Sequence, residues 1–399
     1  MTSGQTSAGE LLHLIRSGQA NTRAALQHAT GLSRSTIGQR LELLNRAGWL
    51  RHTAGTSTGG RPSHQIEFDT THACVIALDL ETRHARAAVL DLGGTILAEH
   101  TGAMDIGEGP EHVLHRLASW LPDLIAAAGV SPDKVAGIGM SVPGPVDWDS
   151  GQVIEPPIMP GWDRYPLRER LQKEYAAHMN LPAEHPAPPV LVDNDANLMA
   201  LAEYQANHRD STSFVLLKVS TGIGAGVVIG NSLYRGIDGG AGDIGHIRLH
   251  DRSDALCMCG SYGCLAAVAS GRAIAKELAS LGHDTTSGRD VKRLLNEGHP
   301  DAVRLAREAG QRVGEVLVTV VTLLNPGVLM IAGDLSSVPF LTGVRELVYQ
   351  RAMPRATASL HLVTSRLGDH AGLIGAAAMV VEHLYSPAVA DTRLEHLTP

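Results

Sequence analysis

Two hydrophobic periods divide the chain. Over residues 9–68, Leu11, Leu14 and Ile15 share one helical face, and Gly18 is a natural stop. Thr22 can N-cap a second helix running to Ala29, with Leu26 and Ala29 facing inward. Thr30-Gly31-Leu32 makes a short turn, and Ser33 caps a third helix whose apolar stripe is Ile37, Leu41 and Leu44. Two helices joined by a tight glycine turn predict a helix-turn-helix. After Gly48-Trp49-Leu50 the pattern predicts a short strand, a loop over Ala54–Arg61, and a second strand in which Ile66 and Phe68 alternate, making a β-hairpin wing.

From about His72 the pattern becomes α/β. His72–Leu80, Arg83–Leu90 and Thr95–His100 read as three successive strands. Pro110–Ala128 is a helix with Val113, Leu117, Leu121, Leu124 and Ile125 on one side. Val135–Met140 and Val190–Val192 are further strands, and a helix starts at Asp195. The order then recurs. Phe214–Val219, Ile223–Ile229 and Ser232–Arg235 are strands, Gly271–Leu281 and Val303–Leu324 include helices, and Val328–Ala332 and Leu360–Thr364 are strands. Such recurrence predicts a duplicated two-lobe α/β body with a ligand cleft between the lobes. The most apolar stretch, Val316–Ala332, is interrupted by Asn325-Pro326-Gly327 and reads as helix end, turn and buried strand rather than a membrane span.

Charge sharpens the division. The 399 residues carry a net −8, with 44 % apolar and 19 % charged residues, as in globular proteins. Residues 1–62 hold seven arginines, no lysine and only Glu10 and Glu42 as acids, a net +5 that leaves −13 on the rest. A basic head on an acidic body is the plan of a DNA-binding module attached to a sensor or an enzyme. Arg34, Ser35, Thr36, Gln39 and Arg40 lie off the apolar stripe of the third helix, where such a helix meets base edges and phosphates. At the wing tip, Gly60 and Arg61 are placed to approach a phosphate or a narrow minor groove. No secretory signal is visible, so a cytoplasmic location is expected.

Four local patterns carry chemistry in the body. Asp193-Asn194-Asp195-Ala196-Asn197 ends a strand at the mouth of the cleft, where an Asp can act as a base and an Asn can bond a hydroxyl; the same residues also suit a helix N-cap. Thr221-Gly222-Ile223-Gly224-Ala225-Gly226 is a glycine-rich turn whose N–H groups can meet phosphate. Gly239–His246 is a second glycine-rich loop with one carboxylate, Asp243, and one imidazole. Cys257, Cys259 and Cys264 then present three thiols within eight residues. Three thiolates and one imidazole make a closed tetrahedral, structural Zn²⁺ site. Spacing alone leaves His246 and His250 as candidates for the fourth ligand.

These motifs resemble the ROK family (repressors, open reading frames and kinases) of the sugar kinase, Hsp70 and actin superfamily, over essentially the whole chain. Gly245-His246 followed by Cys257-Met258-Cys259-Gly260-Ser261-Tyr262-Gly263-Cys264 is similar to the family's zinc signature, and a winged helix ending in Gly60-Arg61-Pro62 resembles its repressor branch. The resemblance implies an actin-like, RNase H-like duplicated two-lobe fold with an N-terminal winged helix-turn-helix. On that plan residues 1–70 are the DNA-binding domain and 71–193 the first lobe, completed by a C-terminal helix at about 372–390. Residues 194–371 are the second lobe, with the zinc site and an oligomerisation surface. The resemblance also implies zinc at His246, Cys257, Cys259 and Cys264, and effector contacts from Gly144, Asn194, Asp195, Asp243 and His246.

Three departures from the family pattern shape the expected function. Asp79-Leu80-Glu81-Thr82-Arg83 stands where the kinases carry a glycine-rich phosphate loop, so Glu81 puts an anion in the place of phosphate; Ala332-Gly333-Asp334 likewise replaces a glycine pair. Asp243 replaces a Glu, and Ala266 replaces a sugar-binding Glu, which alters or weakens the sugar preference. The resemblance therefore implies a non-enzymatic regulator, a repressor of carbohydrate uptake or catabolism genes. Its partners would be operator DNA, a sugar or sugar-phosphate effector, and further copies of itself in a homodimer or homotetramer, with no membrane. Two alternatives remain: an active sugar kinase with an appended head, and a regulator titrated by a protein partner.

Overall fold

The computed structural model describes residues 6–54, 64–182, 184 and 186–397. In the head, α1 (Ala8–Arg16), α2 (Arg23–Thr30) and α3 (Arg34–Arg46) form where caps and stripes coincide. Ser7 and Glu10 close a capping box on α1, Thr22 Oγ1 accepts from Ala25 N–H at 3.1 Å, and Ser33 Oγ accepts from Thr36 N–H at 3.2 Å. Gly31, at φ +70°, ends α2 in the left-handed conformation. Leu11, Leu12, Leu26, Ile37, Leu41 and Leu44 form the head's core. Ala29 does not face inward as the sequence suggested; it is exposed, and Ala25 packs beside Leu26 instead. The eight-residue α2 lies at the rim of the head and buries only a narrow strip. Strand β1 (Leu50–Ala54) pairs antiparallel with β2 (His64–Phe68), Leu50 opposite Phe68. Gly60 and Arg61 lie outside the described residues.

The body contains two five-stranded sheets of identical plan. The first comprises β3 (Cys74–Leu80), β4 (His84–Asp91) and β5 (Ile96–Ala103), then β6 (Val135–Val142) after helix α4 (Pro110–Ala127). A two-stranded ribbon, β7 (Val146–Asp147) and β8 (Gln152–Val153), and helix α5 (Leu167–His178) precede its last strand, β9 (Val190–Asn194). The spatial order is β5-β4-β3-β6-β9. Helix α6 (Asp195–Asn207) leads into β10 (Ser213–Val219), β11 (Ile223–Ile229) and β12 (Ser232–Tyr234). Four helices follow: α7 (Leu265–Ala269), α8 (Gly271–Ser280), α9 (Gly288–Asn296) and α10 (Pro300–Leu324). Then come β13 (Val328–Ala332), α11 (Val338–Arg351), α12 (Pro354–Thr357) and β14 (His361–Thr364). This sheet runs β12-β11-β10-β13-β14. In both sheets three meandering strands are followed by two added in parallel, the duplication the sequence pattern suggested.

The last helices, α13 (Ala371–Leu384) and α14 (Pro387–Leu394), join everything together. Helix α13 lies on β3 and β6, and α6 lies on β10 and β11. The two helices also pack on each other, so closely that a Cβ on Gly375 would sit 1.9 Å from the Leu198 carbonyl oxygen. The turn before α13 is fixed from α6. Buried Glu203 accepts from Ser365 Oγ at 2.5 Å and from the N–H groups of Arg366 and Leu367 at 2.7 and 2.8 Å.

The head docks on the end of α13. Tyr385 sits among the rings of Trp49 (5.1 Å between centroids), Phe68 (4.9 Å) and His72 (5.6 Å), and its hydroxyl meets His72 Nε2 at 2.7 Å. Arg393 lies over Tyr385 at 4.8 Å, Arg16 Nη1 donates to the Tyr385 carbonyl at 3.0 Å, and Gly9 N–H donates to Asp391 in α14 at 2.7 Å. Burial pushes the His72 imidazole below its ordinary 6.5, Arg393 and Lys134 add to this, and Asp69 opposes it. The unfolded chain therefore takes up a proton at His72 before the folded chain does. The stability this group contributes is complete above pH 6.5 and is lost as pH falls below that value. Thermal midpoints measured between about pH 7.5 and 5.5 should fall less steeply in His72→Gln than in the parent chain.

Candidate effector cleft and metal centre

A cavity of about 380 Å³ lies between the two sheets, where β9 passes into α6. All five residues expected to contact an effector, Gly144, Asn194, Asp195, Asp243 and His246, line it. Asn194 serves as the N-cap of α6 and as a cavity group at once. Its Oδ1 accepts from Ala196 and Asn197 N–H at 2.9 and 3.4 Å, and its Nδ2 donates to the Gly144 carbonyl at 3.0 Å. An amide nitrogen carries two hydrogens, so one remains for a ligand. Next to it, Asp193 is a fastening. It accepts from Asn197 Nδ2 at 3.0 Å and from Arg235 Nε at 2.8 Å, and Arg235 stacks over Trp148 at 3.9 Å.

Asp195 is not a free carboxylate. Lys218 Nζ on β10 donates to its Oδ2 at 2.5 Å; Asp195 is buried and the Lys218 side chain is largely so, 15 % exposed. Burial alone would lower the lysine pKa, but the negative charges of Asp195, Glu81 and Asp79 outweigh it and raise it above its ordinary value. Burial pushes Asp79 up to about 6, aided by Glu81 and Asp195 and opposed by Lys218. Glu81 goes the other way, to about 2: its burial is outweighed by a 2.9 Å contact with His84 Nε2 and by the charges of Lys218, His84 and Arg289. One ammonium thus serves three carboxylates.

Lys218, Glu81 and Ser220 line both this cavity and a second one of about 720 Å³ behind it. Ion pairs border the second cavity, Arg86 of β4 to Asp369 at 3.1 Å and Lys292 of α9 to Asp369 at 3.5 Å, and Arg289 of α9 meets the His84 ring of β4. Asp334 also lines it, and burial raises its pKa.

The glycine-rich segments act here as close-packing elements. A Cβ on Gly226 would lie 2.4 Å from the Ala196 carbonyl oxygen, so that glycine lets α6 approach β11. Gly242, at φ +95°, accepts from Ala225 N–H at 2.8 Å, and a Cβ there would be 1.8 Å from the Ala225 oxygen. The loop carrying Asp243 and His246 is thereby pressed onto β11 at the cavity wall.

His246, Cys257, Cys259 and Cys264 converge, with one donor atom from each within 4.8 Å of all the others. Cys257 Sγ is 3.7 Å from His246 Nδ1, and Cys259 Sγ is 3.7 Å from Cys264 Sγ. A tetrahedron with zinc–sulfur bonds of about 2.3 Å has sulfur–sulfur edges of about 3.8 Å, so the cluster is compatible with structural zinc. His246, not His250, joins the thiols. Its Nδ1 faces Cys257 and its Nε2 lies 3.8 Å from Asp243 Oδ1, so one ring edge meets the metal cluster and the other meets the acid of the cavity wall.

Sequence reasoning missed three cavity groups: Lys218, Arg272 and Glu155. Lys218 carried a signal, being a lone charge in the apolar run Phe214–Val219. Glu155 carried none. It is held at φ +45°, an uncommon conformation for a non-glycine residue, with its N–H on Asp163 at 2.8 Å. Ala266 also lines the wall, so no carboxylate is supplied from that position. In the head, Arg34, Ser35 and Gln39 are exposed on α3. The Ser35 and Thr36 hydroxyls each lie 2.8 Å from the Ser33 hydroxyl, and Arg40 is half-buried with its Nη1 enclosed and unpartnered.

A two-lobe body with a cleft and a cysteine–histidine centre, carrying a helix-turn-helix head, defines the class. The model of the ROK family matches residues 75–383, and the chain belongs to that family. It is 28 % identical over 393 residues to the xylose repressor of Caldicellulosiruptor bescii, covering 94 % of this chain and 95 % of that one. It is 30 % identical over 332 residues to the glucokinase of Streptomyces coelicolor, covering 77 % of this chain and 97 % of that one. The crystal structure of a ROK family transcriptional regulator, a homolog of the E. coli MLC protein, superposes with a TM-score of 0.80 at 24 % identity, over 97 % of this chain and 98 % of that one. Among the described residues no single helix is long and apolar enough to cross a membrane.

Removing the ammonium leaves Asp79 and Asp195 without their counter-charge and takes from Glu81 one of the cations that face it. Lys218→Met should therefore lower the unfolding free energy in urea by about 3–5 kcal/mol, and adding Asp195→Asn to the same chain should recover part of that loss.

Proposed function

We propose that this protein is a sugar-responsive transcriptional repressor, whose head grips operator DNA and whose interlobe cavity takes the effector. The observation that carries the reading is the docking of the head on Tyr385, at the end of α13. That helix packs on α6, whose first turn carries Asn194 and Asp195. A ligand that alters this turn acts on the support of the head. Similarity to named repressors over 94 % of the chain supports the same reading.

The domain plan follows: residues 1–70 read DNA, 71–193 with about 372–390 form one lobe, and 194–371 form the other. Arg34, Ser35, Thr36, Gln39, Arg40, Gly60 and Arg61 face DNA. A homodimer or homotetramer would set two recognition helices about 34 Å apart on a pseudo-palindrome. Zinc at His246, Cys257, Cys259 and Cys264 would stiffen the wall that presents Asp243, and His246 Nε2 would remain for a ligand hydroxyl.

Charge indicates which effector fits. The cavity is lined by four carboxylates, Glu81, Glu155, Asp195 and Asp243, against two cations, Lys218 and Arg272. That balance repels a phosphate and favours a neutral polyol, whose hydroxyls the carboxylates accept. Glu155 would supply the acceptor that Ala266 does not. Sugar hydroxyls at Asp195 compete with Lys218 for the same oxygen, and through it with the ion pairs that border the second cavity. Tenfold release of operator requires only about 1.4 kcal/mol of differential binding between the two states.

Kinship with glucokinases makes a kinase the second reading. Asp195 would then be the base, but an aspartate already bonded to Lys218 is a poor acceptor for a hydroxyl proton. One experiment separates the two. Operator release is followed against a panel of neutral sugars and their phosphates, with ATP and Mg²⁺ in parallel. A neutral sugar should release DNA, Asp195→Asn and Glu155→Gln should each weaken the response at least tenfold without weakening DNA binding, and no ADP should form. Sugar-dependent ADP release would establish the kinase, and release by sugar phosphates alone would refute the neutral-ligand reading. Cys259→Ser should lose the bound zinc, measured by mass spectrometry, and lower the thermal midpoint; an unchanged metal content would refute the zinc site.

A further inference from the structure

Helices α4 and α5 lie side by side on the outer face of the first sheet, away from the cleft. On their exposed side α4 contributes His115, and α5 contributes Glu174 and His178, one turn apart. One donor atom from each lies within 4.8 Å of the other two. His115 Nδ1 is 2.9 Å from Glu174 Oε2, His178 Nδ1 is 3.8 Å from the same oxygen, and the two rings are 4.9 Å apart. We propose that His115, Glu174 and His178 form a second metal site, for a divalent ion of the zinc, nickel or cobalt class.

His178 Nδ1, the ring nitrogen 3.8 Å from Glu174 Oε2, also donates to the Glu174 carbonyl at 2.9 Å, so an ion held there would take the Nδ1 lone pair in place of that bond. Two features favour an ion over a plain surface ion pair. His178 is the last residue of α5, where the helix dipole favours a cation. Two imidazoles and a carboxylate suit borderline transition ions, and the partly exposed position leaves further coordination sites for water. Nearby cations do not oppose it. Arg170 pairs with Glu111 at 4.0 Å, while Arg116 and Lys173 are sequence neighbours of the ligands and point about 100° round their helices. His283, His299 and Asp301 also cluster, but His299 caps α10 and Asp301 lies in its first turn, where the dipole opposes a cation. An ion on His115, Glu174 and His178 would clip α4 to α5 and stiffen the first lobe from outside.

The test uses the full chain, stripped of metal and reloaded with cobalt. Cobalt bound to the cysteines gives an intense thiolate charge-transfer band, whereas nitrogen and oxygen ligands give only weak bands. The parent chain should hold about two cobalt ions. His115→Ala and Glu174→Gln should each hold about one, with the thiolate band unchanged, which also shows that they are folded. Cys259→Ser should lose the band yet keep the second ion. Equal cobalt content in the parent and His115→Ala, or a parent that binds cobalt only at the cysteines, would overturn the proposal.

Discussion

How near α6 and α13 approach each other governs the rest of the molecule. With the Leu198 carbonyl against the α-carbon of Gly375, the two sheets are set at one spacing and the cavity between them has its width. The N-terminus of α6 carries the Asn194 and Asp195 pair, and the C-terminus of α13 carries Tyr385. Glu203, buried on α6, secures the turn that launches α13. Backbone against backbone leaves no side-chain cushion, so movement of one helix must be met by the other. That stiffness is what an interlobe ligand would need in order to be felt at the head.

Lys218 gives the cleft its chemical character. A buried ammonium among Asp79, Glu81 and Asp195 is costly to assemble from water, and neutral side chains of similar size could fill that volume as stably. What the ions add is directionality. They fix which oxygens face which lobe, and they connect the cavity lined by Asp195 with the one lined by Arg86 and Asp369. An aspartate held this way is suited to exchanging partners, ammonium for hydroxyl, more than to taking up a proton.

Much of this architecture was legible from the residues. Caps at Thr22 and Ser33, Gly31 and the apolar stripes located the head's helices because short-range hydrogen bonds fix such ends. Asn325-Pro326-Gly327 correctly divided α10 from β13: Asn325 caps the helix at φ +43° and the strand starts at Val328. The three thiols were equally plain, since their spacing is local, but spacing left His246 and His250 both open, and only the family resemblance pointed to His246. Most of the misses depended on distant contacts. Helix α5 buries only Leu167, Leu171 and Tyr175 among charges, while α11 does carry a stripe, Phe340, Val344, Leu347 and Val348, which Pro339 and Gly343 obscure. Ala29 looked internal because periodicity cannot tell a rim helix from a central one. Lys218 and Glu155 gain their roles only when strands far apart in sequence face the same cavity.

The head is fastened to the opposite end of the polypeptide. Gly9 bonds to Asp391, 382 positions later, and Tyr385 sits beneath Trp49 and Phe68. The head's helices emerge first in synthesis, but Tyr385, Ala390 and Leu394 share one core with Leu11, Leu12 and Leu26, so that core closes only when the last helices arrive. A chain cut short before α13 would lack at once the seat of the head and the route from the cleft to it.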